Sequence, residues 1–143
     1  MVSDANPTAP RGVSLARWST SKAAFVSRLL LGAILLASSI NNVLARNPVT
    51  NPTPAGNEFL HFLDATGYLL RTVAITELIS ALLLLSGHFI PVALLLFAPI
   101  LVNVFLFHLF IQGPGVEIAV LAAVPYLHLA YVFRERFERV VAP

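Results

Sequence analysis

The sequence predicts an all-α fold, an integral membrane bundle of four antiparallel helices, on three observations. First, 57% of the 143 residues are hydrophobic and only 11% are charged, whereas a typical soluble domain has about 25% charged residues. Second, nine of the 16 charged residues lie in the two tails, which leaves seven between Ala23 and Phe133. Third, that interval contains continuous apolar runs of about 18 residues or more, a length that suits membrane helices and exceeds that of membrane strands.

The first 22 residues are polar and contain prolines and serines, and we predict that they form a flexible cytoplasmic tail. The four-helix membrane domain is predicted over residues 23–137, and residues 138–143 are predicted to form a second tail. The length of the chain allows one compact unit rather than two domains.

The first helix is predicted at about residues 23–45, because this apolar run is long enough to cross a hydrocarbon core of about 30 Å. Its small residues Ala33 and Ala37, followed by Asn41, recur every four positions and predict the seam for close helix packing. A competing interpretation makes this run a signal peptide cleaved after Ala45, since a basic lead and a small residue at that position fit one. The length of the run favours a retained helix.

The segment from Arg46 to about Tyr68 is predicted as a loop on the outer side, because its first half contains several prolines and a glycine. Its second half, FLHFLDATGYLL, combines large apolar residues with polar ones. We therefore predict that this half forms a short amphipathic turn or helix that lies on the bilayer surface.

Three further helices are predicted at about residues 69–86, 89–111 and 116–133. The turns between them, Gly87-His88 and Gln112-Gly113-Pro114-Gly115, are only a few residues long, so consecutive helices must be antiparallel. Lys and Arg are more numerous near the two tails than on the opposite face, and such residues favour the cytoplasmic side. We therefore predict a multi-pass membrane protein with both termini in the cytoplasm.

A polar pocket is predicted in the outer half of the bundle. Glu77 lies near the middle of its helix, where an ionisable residue is costly and marks a functional hypothesis. At about 1.5 Å per residue, Asn103 lies at a similar depth, while Asn42, Arg71 and His108 lie nearer the outer surface. We predict that these five residues bind a ligand. Because His108 is five positions after Asn103, the two side chains point about 140° apart on one helix.

Other interpretations of the polar residues are weighed against this one. In the structural interpretation, Glu77 pairs with Arg28 or Arg71 and only fixes helix packing. The histidines do not recur at matching depth on facing helices, so no haem or metal site is predicted. No nucleophile elbow, phosphate-binding loop or pair of catalytic carboxylates is present in the sequence, so no catalytic residue is identified.

Composition excludes further classes of function. The chain has no cysteine, which excludes disulfides, thiolate zinc sites and iron–sulfur clusters held by this chain alone. The net charge is only +2 and no basic stripe interleaved with aromatic residues is present. Nucleic acid is therefore not expected as a partner.

Three blocks of the sequence resemble the DoxX family of bacterial membrane proteins. They are RLLLGAILLASSINNV (28–43), ELISALLLLSGHFIPVALLL (77–96) and APILVNVFLFHLF (98–110). The resemblance extends over about residues 23–137, and the order Pro99, Asn103, Phe107, His108 is its most specific part. The Pro-rich loop 47–57 is longer than is usual in that family. The resemblance implies four transmembrane helices in the bacterial cytoplasmic (inner) membrane.

The resemblance also implies a role, because DoxX-like proteins are associated with thiosulfate- or thiol-linked quinone reduction and with membrane redox-stress complexes. We expect a small membrane subunit that supports such chemistry and binds a quinone or another small amphiphile in the polar pocket. Whether the chain is itself catalytic stays open. The alternative is a non-enzymatic scaffold that docks a soluble redox or stress-response partner or forms a homo-oligomer. A carrier or channel is less favoured, because four short helices leave little room for a path.

Overall fold

The computed structural model describes residues 22–44 and 53–141. Within these ranges the chain is helical and contains no strand, which confirms the all-α prediction. The predicted tail up to residue 21 and the alternative cleavage site after Ala45 lie outside the described residues, as does the end of the second tail at 142–143.

Six α-helices and one π-helical turn make up the described part of the chain. They are α1 (Lys22–Leu44), α2 (Pro54–Ala65), α3 (Leu69–Ser86), α4 (Ile90–Phe107), the π-helical turn His108–Gln112, α5 (Val116–Val132) and α6 (Arg134–Val141).

Helices α1 and α3 form an antiparallel pair along most of their length. Gly32 lies against Leu85, so closely that a Cβ atom at Gly32 would be 2.8 Å from Leu85 Cδ2. Further along α1, the Ser39 hydroxyl donates a hydrogen bond of 2.8 Å to the carbonyl of Ala74. The predicted seam is therefore wrong, because Ala33 and the rest of its stripe are exposed. Close packing uses the neighbouring face of α1, where glycine and serine allow the backbones to approach.

Helices α4 and α5 pack with α1 and α3 to complete a bundle of four helices. Helix α4 turns back directly after α3, through Gly87 at φ 76° and Phe89 at φ 53°. Helix α5 packs on α1, with a 2.8 Å hydrogen bond between Ser27 Oγ and His128 Nδ1, and on α4, where Phe97 meets the edge of Tyr126. The start of α1 and the end of α5 therefore share one end of the bundle, called the α6 end; the opposite end is called the α2 end.

Helix α2 begins earlier than predicted, because the last residues assigned to the Pro-rich loop form its first turn. Pro54 occupies the start of the helix, where a proline loses no intrahelical hydrogen bond. Thr53 caps it by accepting a hydrogen bond of 3.2 Å from the backbone N–H of Gly56. Gly67 at φ 75° then separates α2 from α3.

The last two predicted boundaries also shift. The α-helix predicted to run to 111 ends at Phe107 and continues as the π-helical turn. The predicted second tail is helical up to Val141, as part of α6. Phe133 is buried and Phe137 packs against the core, so α6 is attached to the bundle through apolar contacts.

The outer surface of the bundle is apolar. Three helical stretches, Lys22–Val43, Leu69–Ser86 and Ile90–Gln112, are long and apolar enough to cross a membrane, and Val116–Val132 is a shorter apolar helix of 17 residues. Large hydrophobic side chains are exposed along all of them, for example Val26, Ile79, Val102, Leu109 and Val124. Exposed apolar surface of this extent marks an interaction with lipid or protein, and these features are those of a membrane protein.

Candidate functional site

A cavity of about 680 Å³ lies at the α2 end of the bundle. Helices α1, α3 and α4 form its sides, α2 covers it, and the π-helical turn and the start of α5 complete it. Most of its wall is apolar. The polar residues that line it are Ser38, Asn41, Asn42, Glu77, Asn103, His108 and Gln112.

Glu77 is held at the cavity by α1. Its side chain is 4% exposed, and its Oε2 accepts hydrogen bonds from Ser38 Oγ at 3.0 Å and Asn42 Nδ2 at 3.4 Å. Ser38 and Asn42 are four positions apart and therefore lie on the same face of α1. Both donors come from the helix that packs antiparallel on α3, so the position of the carboxyl group depends on that helix pair. In the described residues neither Arg28 nor Arg71 pairs with Glu77.

His108 contributes the other polar side of the cavity. It is 7% exposed, and its Nδ1 is buried without a hydrogen-bond partner in the part of the chain that the structure describes. The edge of its ring meets Phe107, with ring centroids 5.3 Å apart and an interplanar angle of 67°. An unpaired polar atom in an apolar environment costs free energy. Nδ1 lies on the side of Gly115, where an added Cβ atom would be 3.4 Å away, so a ligand in the cavity can form a hydrogen bond with this atom only after the ring turns.

The π-helical turn explains why Gln112 joins His108 at the cavity. The backbone N–H of Gly113 donates to the carbonyl of His108 at 2.9 Å, a bond that spans five residues. Both His108 and Gln112 are buried. Short π-helical segments occur frequently at functional sites, and this one places two polar side chains in the same wall.

Asn103 lines the same cavity from a different direction. It is exposed, and its Nδ2 donates a hydrogen bond of 2.8 Å to the carbonyl of Pro99, which leaves its amide oxygen available. The directions of Asn103 and His108 differ by about 140° around the helix. The two residues therefore lie at opposite edges of the face that lines the cavity, and Phe107 lies between them. The cavity is wide enough to include both, although they do not converge on one point.

Helix α2 covers the cavity with an apolar face. The Phe59 ring stacks on Phe107, with centroids 5.3 Å apart and an interplanar angle of 30°. Leu60 and Leu63 also line the cavity, while Phe62 is 66% exposed on the outside. This amphipathic pattern is the one predicted for a helix on the bilayer surface, and in the structure its apolar face lies against the bundle.

Of the five predicted ligand-binding residues, the structure brings four to the cavity and leaves Arg71 out. Arg71 is exposed and does not line the cavity. It precedes Glu77 by six positions, which places it about 120° away around α3, so a similar depth does not give a shared face. The sequence analysis missed Ser38 and Gln112, which were detectable as polar residues four positions from Asn42 and His108.

Few ionisable residues line the cavity. Among the described residues, Glu77 is the one carboxyl group that lines the cavity, and no Lys or Arg lines it. In the described residues no group of three or more His, Cys, Asp or Glu could hold a metal ion. The polar residues of the cavity wall can form hydrogen bonds with a largely apolar molecule and orient it.

Comparison of the chain with protein-family models, with curated proteins and with solved structures found no match.

Proposed function

We propose that the chain is a DoxX-like integral protein of the bacterial cytoplasmic membrane in which α1, α3, α4 with its π-helical turn, and α5 cross the bilayer. The exposed apolar side chains on these helices support this. Helix α5, with 17 residues, is about 26 Å long, close to the thickness of the hydrocarbon core. The excess of Lys and Arg near the tails supports cytoplasmic termini, and both ends of the four-helix arrangement lie at the α6 end.

We further propose that the cavity binds the head group of a quinone or a similar small amphiphile, and that the protein is a subunit supporting quinone- or thiol-linked redox chemistry. The observation that carries this proposal is an apolar cavity of about 680 Å³ whose wall contains the buried polar side chains of Glu77 and His108. That volume lies within the roughly 300–1,000 Å³ typical of small-molecule sites. The Phe59–Phe107 stack offers aromatic surface to a planar ring.

The residues fit an uncharged ligand better than an anion. An anion would lie beside Glu77 with no Lys or Arg in the wall to pair with it, and a buried charge without a partner is costly. An anion such as thiosulfate would therefore react on a partner subunit. The chain has no cysteine, so any reactive thiol also belongs to a partner.

Binding of 1,4-naphthoquinone to the purified protein in lipid nanodiscs tests the cavity. We expect His108→Ala and Glu77→Gln to weaken binding, because the first removes the imidazole from the wall and the second replaces the carboxyl group with an amide. Arg71→Gln is the matched control, since it removes the charge of a residue that lies on α3 with Glu77 but outside the cavity. The proposal fails if the wild-type protein does not bind the probe, or if His108→Ala and Glu77→Gln both bind it as tightly as the wild type does.

The alternative function is a non-enzymatic scaffold that docks a soluble redox or stress-response partner. The observation in its favour is α6, a charged helix with exposed Arg134, Glu135 and Arg136 that is fixed to the bundle by Phe133 and Phe137. Two results would favour the scaffold. The protein should capture a defined partner and lose it when the three charged residues are replaced by serine, and the Glu77→Gln change should leave this capture unaffected.

A further inference from the structure

Arg28 is a cation of the α6 end that has no acidic partner among the described residues. It lies in α1, its side chain is half-buried, and its Nε is buried with no hydrogen-bond partner. Its guanidinium lies 5.1 Å from the centroid of the Phe25 ring. Its guanidinium also lies against the backbone of Gly87, at the turn that follows α3.

The contact with Gly87 fixes the depth of this guanidinium. A Cβ atom at Gly87 would overlap the guanidinium and would lie 3.1 Å from Cζ, so Arg28 reaches the residue that follows the end of α3. Helix α3 has 18 residues, which gives about 27 Å, close to the thickness of a hydrocarbon core. If α3 spans the bilayer, Arg28 lies at the membrane surface, at the level of the lipid phosphates.

The residues around Arg28 hold its guanidinium at the level of the membrane surface. Phe25 provides an aromatic face on one side, and the bare backbone of Gly87 permits close approach on another. The planar guanidinium has donors arranged to bind two oxygens of a phosphate at once. An unpaired Arg with apolar neighbours gains most from an anion that is itself anchored in the membrane.

We propose that Arg28 binds the phosphate of an anionic glycerophospholipid in the cytoplasmic leaflet. Anionic lipids concentrate in that leaflet and attract juxtamembrane cations. Lys22 lies at the same end but is exposed, so it contributes attraction without a defined binding geometry. This inference depends on the proposed membrane insertion and does not depend on the ligand of the cavity.

Native mass spectrometry of the protein released from nanodiscs tests the proposal. The discs contain phosphatidylcholine and phosphatidylglycerol in a 4:1 ratio, and the measurement is the ratio of the two lipids that stay bound. We expect the wild-type protein to retain phosphatidylglycerol selectively, and Arg28→Gln to reduce that selectivity roughly fivefold, as expected for one interfacial cation. Lys22→Gln, the matched control, should change it less than Arg28→Gln does.

Other measurements keep the proposal falsifiable. Equal retention of both lipids by the wild-type protein overturns it, and this result needs no variant. Equal loss of selectivity in Lys22→Gln and Arg28→Gln also overturns it, because attraction would then be unspecific. Inorganic phosphate should not displace the bound lipid, and displacement would assign the site to a soluble anion instead. If naphthoquinone binding fails while lipid selectivity holds, the cavity proposal fails and this inference stands.

Discussion

Replacing His108 with leucine should stabilise the ligand-free protein and weaken ligand binding at the same time. The ring is 7% exposed and its Nδ1 has no partner, and an unsatisfied buried polar group costs about 1–3 kcal/mol. Leucine fills a similar volume without that cost. We therefore expect the free energy of unfolding to rise by about 1–3 kcal/mol. Loss of one ligand hydrogen bond worth about 0.5–1.5 kcal/mol should raise the Kd for 1,4-naphthoquinone roughly 2- to 13-fold.

Reversible unfolding in mixed micelles, followed by circular dichroism, measures the first effect, and probe binding in nanodiscs measures the second. Ser80→Ala is the control, because Ser80 is fully buried with an unpartnered hydroxyl but does not line the cavity. It should raise stability without changing the Kd. The reasoning is refuted if His108→Leu destabilises the ligand-free protein, which would make the histidine a packing residue, or if it leaves the Kd unchanged.

Three further predictions concern the elements around the cavity and the α6 end. Gly87→Ala should destabilise the protein by about 1–2 kcal/mol, because φ is 76° there and the new methyl group would displace Arg28; thermal unfolding in detergent measures this. Thr53→Ala should cost α2 about 1 kcal/mol by removing its cap, seen as faster hydrogen exchange confined to the first turn of α2. Phe59→Ala should remove a stacking contact with Phe107 worth about 0.5–1.5 kcal/mol. We expect faster hydrogen exchange throughout α2 and weaker naphthoquinone binding. Unchanged hydrogen exchange would show that other contacts hold α2.

The long helices could be predicted because apolar runs and glycine turns act locally. The helix predicted at about 69–86 lies at Leu69–Ser86, and the one predicted at about 23–45 lies at Lys22–Leu44. The start of α2 was missed because a count of prolines does not distinguish a loop from a helix that begins at one of them. Thr53, one position before Pro54, was the available signal, since a threonine at this position caps a helix.

The packing faces were harder to predict than the helices. The stripe that begins at Ala33 has the spacing of a seam, yet it is exposed, and Gly32 one position away makes the close contact. A rotation of about 100° separates adjacent residues on a helix, so an error of one residue selects a different face. A helix that is apolar on all sides gives little indication of which face meets its neighbour.

For the candidate site, the sequence by itself determined which residues were unusual, and the tertiary structure decided which of them meet. Glu77 and His108 stand out because polar groups are costly in apolar helices. That cost does not specify a partner: Ser38 and Asn42 hold Glu77 because α1 packs antiparallel on α3, and Arg71 is excluded by its angle around α3. The cavity itself depends on α2 covering the bundle and on the π-helical turn. The position of α2 arises from contacts between segments distant in the chain, such as the Phe59–Phe107 stack, which local patterns of residues do not encode.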